Sequence, residues 1–79
     1  MSNLEQYDAA FMECLEISVD MLGSELVYQS VENWDSVGHM QLMAALEDTF
    51  DIMLDTDDII DFSSYEIGKG ILKKYDVAL

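Results

Sequence analysis

The sequence predicts an all-α protein, a four-helix bundle with three longer helices and one short helix. Three observations carry this prediction. Apolar residues recur at three- and four-residue spacing along most of the chain, and no proline interrupts any of the 79 residues. Pairs of residues with capping-box spacing also precede apolar runs at two points. A chain of this length forms one domain, residues 1–79, and its 51% apolar content is enough for one core.

The first helix is predicted over residues 3–22. Ser2 and Glu5 have the spacing of a capping box, and Gly23 is a natural stop at the other end. Between them an apolar stripe runs along one face and predicts the side that packs on the core. Its members are Leu4, Tyr7, Phe11, Cys14, Leu15 and Leu22.

A connection follows over residues 24–35, in which we expect residues 26–28 to enter the core and residues 29–33 to stay exposed. The second helix is predicted from about Ser36 to Asp51. On a helical wheel one side of it is apolar and faces the core. That side consists of His39, Leu42, Met43, Leu46 and Phe50.

The last third of the chain predicts two further helices. The polar corner at residues 55–58 is expected to cap a short helix that contains Ile59, Ile60 and Phe62. Ser63 and Glu66 then form a second capping-box pair and open the last helix. One side of that helix carries Ile67, Ile71 and Tyr75, and its final turn carries Lys73 and Lys74, where positive charge suits the helix dipole. Gly68 and Gly70 weaken the helix but allow close packing.

The charge is strongly negative, because 17 acidic residues face three lysines and give a net charge of −14. Such a surface repels nucleic acid and anionic lipid, and it attracts proteins with basic patches. An alternative is that the acidity only maintains solubility. The sequence has no apolar run of membrane-spanning length and no signal-peptide pattern, so we expect a cytoplasmic monomer. Cys14 has no partner for an internal disulfide, and Cys14 with His39 is too small a set for a zinc site.

The second predicted helix has another apolar strip, formed by Val37, Met40 and Ala44 away from the core side. Polar and acidic residues surround it: Gln41, Glu47, Asp48 and Asp51. An apolar strip with an acidic rim is typical of a docking surface for a partner with a basic rim. Scattered surface apolar residues are the alternative, since monomers carry them routinely.

Ser36 stands at the start of this helix, directly after Asp35. Either residue could serve as the N-cap. A phosphate ester on a serine at this position would meet free backbone N–H groups and the positive end of the helix dipole, which stabilise an anion. Ser36 is therefore a candidate site for a phosphate-linked group.

From about Asn33 to Tyr75 the chain resembles acyl carrier proteins. Residues 35–37, Asp-Ser-Val, are similar to their Asp-Ser-Leu motif, and residues 46–51, Leu-Glu-Asp-Thr-Phe-Asp, follow at matching spacing. Residues 32–39 look most like small stand-alone carriers outside primary fatty-acid synthesis. The resemblance implies a 4'-phosphopantetheine arm, taken from coenzyme A, on Ser36, with Asp35 as recognition partner. It also implies a partner-binding face made of Val37, Met40, Gln41, Ala44, Glu47 and Asp48.

By the same resemblance the protein is not an enzyme and has no catalytic residue. It would serve a phosphopantetheinyl transferase, an acyl ligase or acyltransferase, and downstream biosynthetic enzymes. Val37 stands where the motif has leucine, and Gly38-His39 stand where the primary fatty-acid carriers are more acidic. These departures concern the pathway and cargo, which stay open: a fatty acyl chain, a polyketide unit, a hydroxy acid, or an amino acid as in peptidyl or D-alanyl carriers.

Three other interpretations can be set beside this one. The chain could be an acidic helical interaction module without a prosthetic group. Residues 55–66 span the twelve positions of a calcium loop, but Ile59 and Ile60 occupy a ligand position and the glycine position. No metal site is therefore expected. His39 could act in acid–base chemistry, although a packed histidine is the expected role, and Cys14 on the core stripe is expected to be inert.

Overall fold

The computed structural model describes residues 2–79 and is all-α, as predicted. Helix α1 spans Asn3–Leu15, α2 spans Ser36–Phe50, α3 spans Thr56–Asp61 and α4 spans Tyr65–Lys73, with a short 3-10 helix at Val19–Met21. No strand occurs within residues 2–79, where an isolated antiparallel bridge joins Val27 to Ser64. None of the helices in this range is long and apolar enough to cross a membrane.

Helix α1 begins as predicted and ends earlier than predicted. The capping box between Ser2 and Glu5 is formed in both directions. The predicted end near residue 22 is wrong, because Glu16 adopts the left-handed conformation with φ of 54° and closes the helix. The side-chain amide of Asn33 donates to the carbonyl of Leu15 at 3.1 Å and satisfies a carbonyl of the last turn. Gly23 therefore lies well beyond the helix end.

Helix α2 confirms the prediction to within one residue. Asp35 is its N-cap, and Asp51 ends it in the left-handed conformation with φ of 53°. The core-facing side is correct: Leu42, Met43 and Leu46 are buried, whereas His39 and Phe50 are half-buried and pack at the edge of the core.

Three details of the α3–α4 region differ from the prediction. Asp55 occupies the N-cap position of α3 but its side chain makes no capping hydrogen bond, so the expected capping role of these aspartates is wrong for Asp55. Helix α4 is capped by Ser64, whose Oγ accepts the N–H of Ile67 at 3.0 Å, and not by Ser63. Tyr75 lies beyond the end of α4.

The face of α4 that meets the core is set by Gly68. A Cβ placed on Gly68 would lie 2.2 Å from Cζ of Phe62 and 2.3 Å from the hydroxyl oxygen of Tyr7. The backbone of α4 therefore approaches these rings as only glycine permits. This orientation buries Ile71 and leaves Ile67 48% exposed, although the sequence places both on one side of the helix.

An aromatic cluster forms the centre of the core. The ring of Phe11 lies within 4.9–6.1 Å of the ring centroids of Tyr7, Tyr65, Trp34 and Phe62. Each of these five side chains is buried. Two residues expected in the core are exposed instead, Leu4 on α1 and Val27 in the connection, whereas Leu26 is buried as predicted.

Candidate functional site

Ser36 is the first residue of α2 and is exposed. The N-cap of α2 is the preceding residue, Asp35, whose Oδ1 accepts the backbone N–H of Gly38 at 2.8 Å. Within residues 2–79 the hydroxyl of Ser36 makes no hydrogen bond, so it is not used for capping. Two residues that sequence alone could not rank as caps thus have separate roles: Asp35 stabilises the helix and Ser36 presents a hydroxyl.

The surroundings of that hydroxyl suit an anion. The structure gives no acceptor within residues 2–79 for the backbone N–H groups of Ser36 and Val37, which lie at the positive end of the helix dipole. Although the chain carries 17 acidic residues, none of them lies in the first turn of α2. A phosphate ester on Ser36 would therefore meet the N–H donors of Ser36 and Val37, beside the Asp35 carboxylate that caps Gly38.

A groove of about 320 Å³ opens beside Ser36, between α2 and α3. Its lining is mostly apolar, with serine hydroxyls from Ser36 and Ser63 at its edges. The other residues along it are Tyr28, His39, Met40, Ile59, Ile60 and Phe62. A volume of this size lies at the lower end of the ~300–1,000 Å³ found for small-molecule sites.

His39 lies at the inner side of this groove and is a polar link between three segments. Its Nδ1 accepts the indole N–H of Trp34 at 3.0 Å, and its Nε2 lies 2.8 Å from the carbonyl oxygen of Ile59. Since Nδ1 is the acceptor, the proton is assigned to Nε2, which donates to Ile59. The imidazole is thus fully engaged, in agreement with the expected packed histidine.

The predicted partner-binding strip is exposed on the same side as Ser36. Val37 is 65% and Met40 54% exposed, and Gln41, Ala44 and Asp48 are exposed around them. The sequence pattern did not indicate Ile60 of α3 as a site residue, although it is 71% exposed and lines the groove together with Met40. Its short helix offers too few turns for a periodicity that separates a buried from an exposed isoleucine.

Glu47 differs from the other predicted rim residues. It is half-buried, and its Oε2 accepts the backbone N–H of Leu54 at 2.8 Å. This hydrogen bond holds the turn that leads from α2 to α3. Glu47 therefore has a structural role that the sequence pattern did not indicate, whereas Asp48 on the following position is exposed at the rim.

Asp58, one of the aspartates in the calcium-loop interpretation, binds side chains that follow α4. The carboxylate of Asp58 is buried and accepts hydrogen bonds from Lys74 Nζ and from the hydroxyl of Tyr75, each at 2.5 Å. These bonds lower the pKa of Asp58 and raise the pKa values of Lys74 and Tyr75. Residues 2–79 contain no group of three or more metal-ligand side chains placed to hold an ion.

Cys14 lies in the shallow groove between α1 and α2, with Ala45 and Gln41 across from it. Its thiol is half-buried, and this burial raises its pKa. A raised pKa disfavours the thiolate, which is the reactive form. The geometry therefore gives Cys14 a packing role.

Comparison with known proteins does not assign the chain to a family. No family model, no curated protein and no solved structure matches the chain. The function is therefore inferred from the residues around Ser36.

Proposed function

We propose that this protein is an acyl-carrier-type protein that bears a 4'-phosphopantetheine arm on Ser36 and delivers thioester-linked intermediates to partner enzymes. The observation that carries the proposal is the division of roles at the start of α2. Asp35 caps the helix through Gly38, and this leaves the exposed hydroxyl of Ser36 without a hydrogen bond beside an apolar groove. The resemblance over residues 33–75 supports the same function, as does the four-helix arrangement.

The residues present fit such an arm. The Oγ of Ser36 would form the phosphodiester, and the nucleotide part of coenzyme A would leave. The N–H groups of Ser36 and Val37 would face the phosphate. The groove between α2 and α3 offers apolar surface beside the root of the arm, with Met40 and Ile60 along its edge. When bound, the arm supplies a thiol that forms thioesters. The protein itself acts as a tethered substrate and performs no catalysis.

The tether contributes by raising the effective concentration of the cargo at each docked active site. The exposed strip of Val37, Met40 and Ala44, with Asp48 at its rim, lies along α2 from Ser36. A partner with an apolar contact and basic rim would dock there and receive the root of the arm at the same time. The implied partners are a phosphopantetheinyl transferase, an acyl ligase or acyltransferase, and downstream enzymes in the same compartment, which we propose is the cytoplasm.

Intact mass after incubation with coenzyme A and a broad-specificity transferase tests the proposal. We expect the wild-type chain to gain the mass of one arm. Ser36→Ala should gain nothing, whereas Ser63→Ala, which alters the other hydroxyl of the same groove, should be modified like wild type. An unmodified wild-type chain, or modification that survives Ser36→Ala, would show that the assignment is wrong.

A second candidate is an acidic interaction module without a prosthetic group. The net charge of −14 and the exposed Val37 and Met40 favour it, because both would serve binding to a basic protein alone. It assigns no role to the hydroxyl of Ser36. The mass measurement separates the two functions directly.

A further inference from the structure

The geometry points to His39 as the residue that closes the groove beside Ser36 against the core. We infer that the protein therefore carries short cargo at its surface. Long acyl tails would then find no path inward. The inference rests on the proposed function, since it concerns the cargo of the same site. It is carried by the hydrogen bonds of His39 and by the packing behind the imidazole.

His39 belongs to the α2 wall of the groove and joins this wall to α3 and to Trp34 behind it. Through Nδ1 it accepts from Trp34, in the segment that leads into α2, and through Nε2 it donates to the carbonyl of Ile59 on α3. A tail that passes between α2 and α3 must displace the imidazole and break both bonds. The indole N–H of Trp34, whose side chain is fully buried, would then lack a partner. Leaving a buried donor unpaired is strongly unfavourable.

Behind the imidazole the core is filled by rings. The ring planes of Trp34 and His39 lie 17° from parallel, and Phe62 packs against the other edge of His39 with ring centroids 6.3 Å apart. Phe11 in turn contacts both Trp34 and Phe62, at centroid distances of 5.5 and 6.1 Å. Moving one ring therefore disturbs the whole aromatic cluster, and close-packed cores resist such insertion.

The volume of the groove limits how much of the cargo the protein can cover. The 320 Å³ of the groove is about ten times the ~30 Å³ that a water molecule occupies in the liquid. It therefore holds on the order of ten non-hydrogen atoms. The groove can therefore cover a short acyl, hydroxyacyl or aminoacyl group, whereas the outer part of a long fatty chain would stay in solvent.

Attached tails of increasing length test the inference without the transferase. The probe is a series of alkyl methanethiosulfonates, from two to sixteen carbons, coupled to the thiol of Ser36→Cys in a Cys14→Ala background. We expect the thermal midpoint to stop rising once the tail exceeds about ten heavy atoms, the number that fills the groove. A tail that enters the core would instead add about 3–6 °C for each buried methylene, through to the longest member.

The indole N–H resonance of Trp34 gives a second measurement, because Trp34 is the only tryptophan and its N–H is bonded to His39. This resonance should keep its position with every tail. In a His39→Ala background, the midpoint should start lower and then rise with tail length beyond the plateau. Ile60→Ala changes the outer edge of the same groove and should keep the plateau.

Two results would overturn the inference: a midpoint that rises steadily with tail length while His39 is intact, or a Trp34 resonance that moves as the tail grows. If His39→Ala fails to fold, the plateau and the fixed resonance of the background protein still decide the matter. The carrier function fails in a different measurement, the absence of a mass gain on Ser36. The two proposals can therefore be rejected separately.

Discussion

Trp34 donates its indole N–H to Nδ1 of His39 at 3.0 Å, five residues further along the chain. The bond joins the segment before α2 to the first turn of that helix, and it sets which imidazole nitrogen faces Ile59. This contact satisfies the indole N–H of the buried tryptophan, and with the bond to Ile59 it engages both nitrogens of the half-buried histidine. Ser36 lies between them in sequence, so its position is held on both sides by ordered residues.

The separate roles of Asp35 and Ser36 predict different effects on stability. Asp35→Ala removes the side chain that accepts from Gly38 and should lower the free energy of unfolding by about 1 kcal/mol. Ser36→Ala removes no cap and should change it by less than about 0.5 kcal/mol. Urea denaturation of both variants measures the difference. Equal losses would mean that Ser36 shares the capping role.

Arm installation should depend on the exposed strip of α2 and on its rim. Met40→Glu places a charge in the apolar contact and should raise the dissociation rate of the transferase. Asp48→Lys should mainly slow association, by an amount that shrinks as salt screens the attraction over about 8–10 Å. Rates of modification at low and high salt measure both effects.

Glu13→Lys on α1 is the matched control for Asp48→Lys, because it reverses an exposed charge away from Ser36. It should have a much smaller effect on the rate. Similar losses from Asp48→Lys and Glu13→Lys would mean that bulk charge drives recognition. Glu47→Lys is unsuitable here, since it also removes the acceptor of the Leu54 N–H and should destabilise the fold.

The contacts of Asp58 predict a defined pH dependence. Hydrogen bonds from Lys74 and Tyr75 hold the pKa of Asp58 below its usual 3.8, so the carboxylate contributes stability that is present above that value and is lost as the pH falls through the lowered pKa. The pKa of Lys74 is raised above 10.5, chiefly by its hydrogen bond to Asp58, so its share is present below 10.5 and is lost as the pH rises through the raised value.

Asp58→Asn should therefore be less stable than wild type between about pH 5 and pH 10, and the two proteins should converge in acid. Thermal unfolding across this range measures the gap. Asp57→Asn removes a neighbouring exposed carboxylate without these bonds and should track wild type closely. A gap that persists unchanged at pH 2 would contradict the ionic origin of the effect.

The end of α2 offers a stabilising substitution. Asp51 holds φ at 53°, a conformation that favours glycine, and its negative charge lies at the negative end of the helix dipole. Asp51→Gly relieves both and should raise the free energy of unfolding by about 1 kcal/mol, or the midpoint by about 4–8 °C. Asp51→Ala removes the charge but tolerates the left-handed conformation less well than aspartate does, so it should be less stable than Asp51→Gly. A larger gain from alanine would contradict the backbone argument.

Gly68 and Gly70, two residues apart on α4, should respond in opposite ways to alanine. A Cβ on Gly68 meets Phe62 and Tyr7, and the Tyr7 hydroxyl cannot easily yield because it donates to the carbonyl of Tyr65 at 2.7 Å. We expect a loss of about 1–3 kcal/mol. Nothing lies within 4 Å of a Cβ on Gly70, where alanine should gain about 0.5–1 kcal/mol. Equilibrium unfolding in urea distinguishes the signs.

Local signals in the sequence predicted the helix starts best. Ser2 and Glu5 form a capping box within four residues, so the sequence shows it directly. Asp35 precedes a helix whose apolar periodicity is clear over four turns. The end of α1 was not predictable in this way, because it depends on Asn33, eighteen residues beyond Leu15. The orientation of α4 likewise depends on the approach of Gly68 to rings from α1 and from the α3–α4 connection.

For the candidate site, Ser36, Asp35 and the exposed strip could be predicted from the sequence. Asp35 and Ser36 are adjacent, and the strip residues recur at helical spacing. It did not identify the groove, which needs Ile60 from α3 and Tyr28 from the connection placed against α2. It also could not separate Glu47 from Asp48. The hydrogen bond from Leu54 to Glu47 exists only once the chain has turned after α2.

Asn33 has a consequence for how a tethered arm would move. Its side-chain amide is bonded to the end of α1, and its carbonyl lies where a Cβ on Gly38 would be 1.8 Å away. The N-terminal end of α2 is therefore joined to the end of α1 through Asn33. Ser36, between Asn33 and Gly38, therefore has a defined position relative to α1. In the proposed carrier, movement of the cargo would depend on the arm alone. Every partner enzyme would then have to place its active site within one arm length of Ser36.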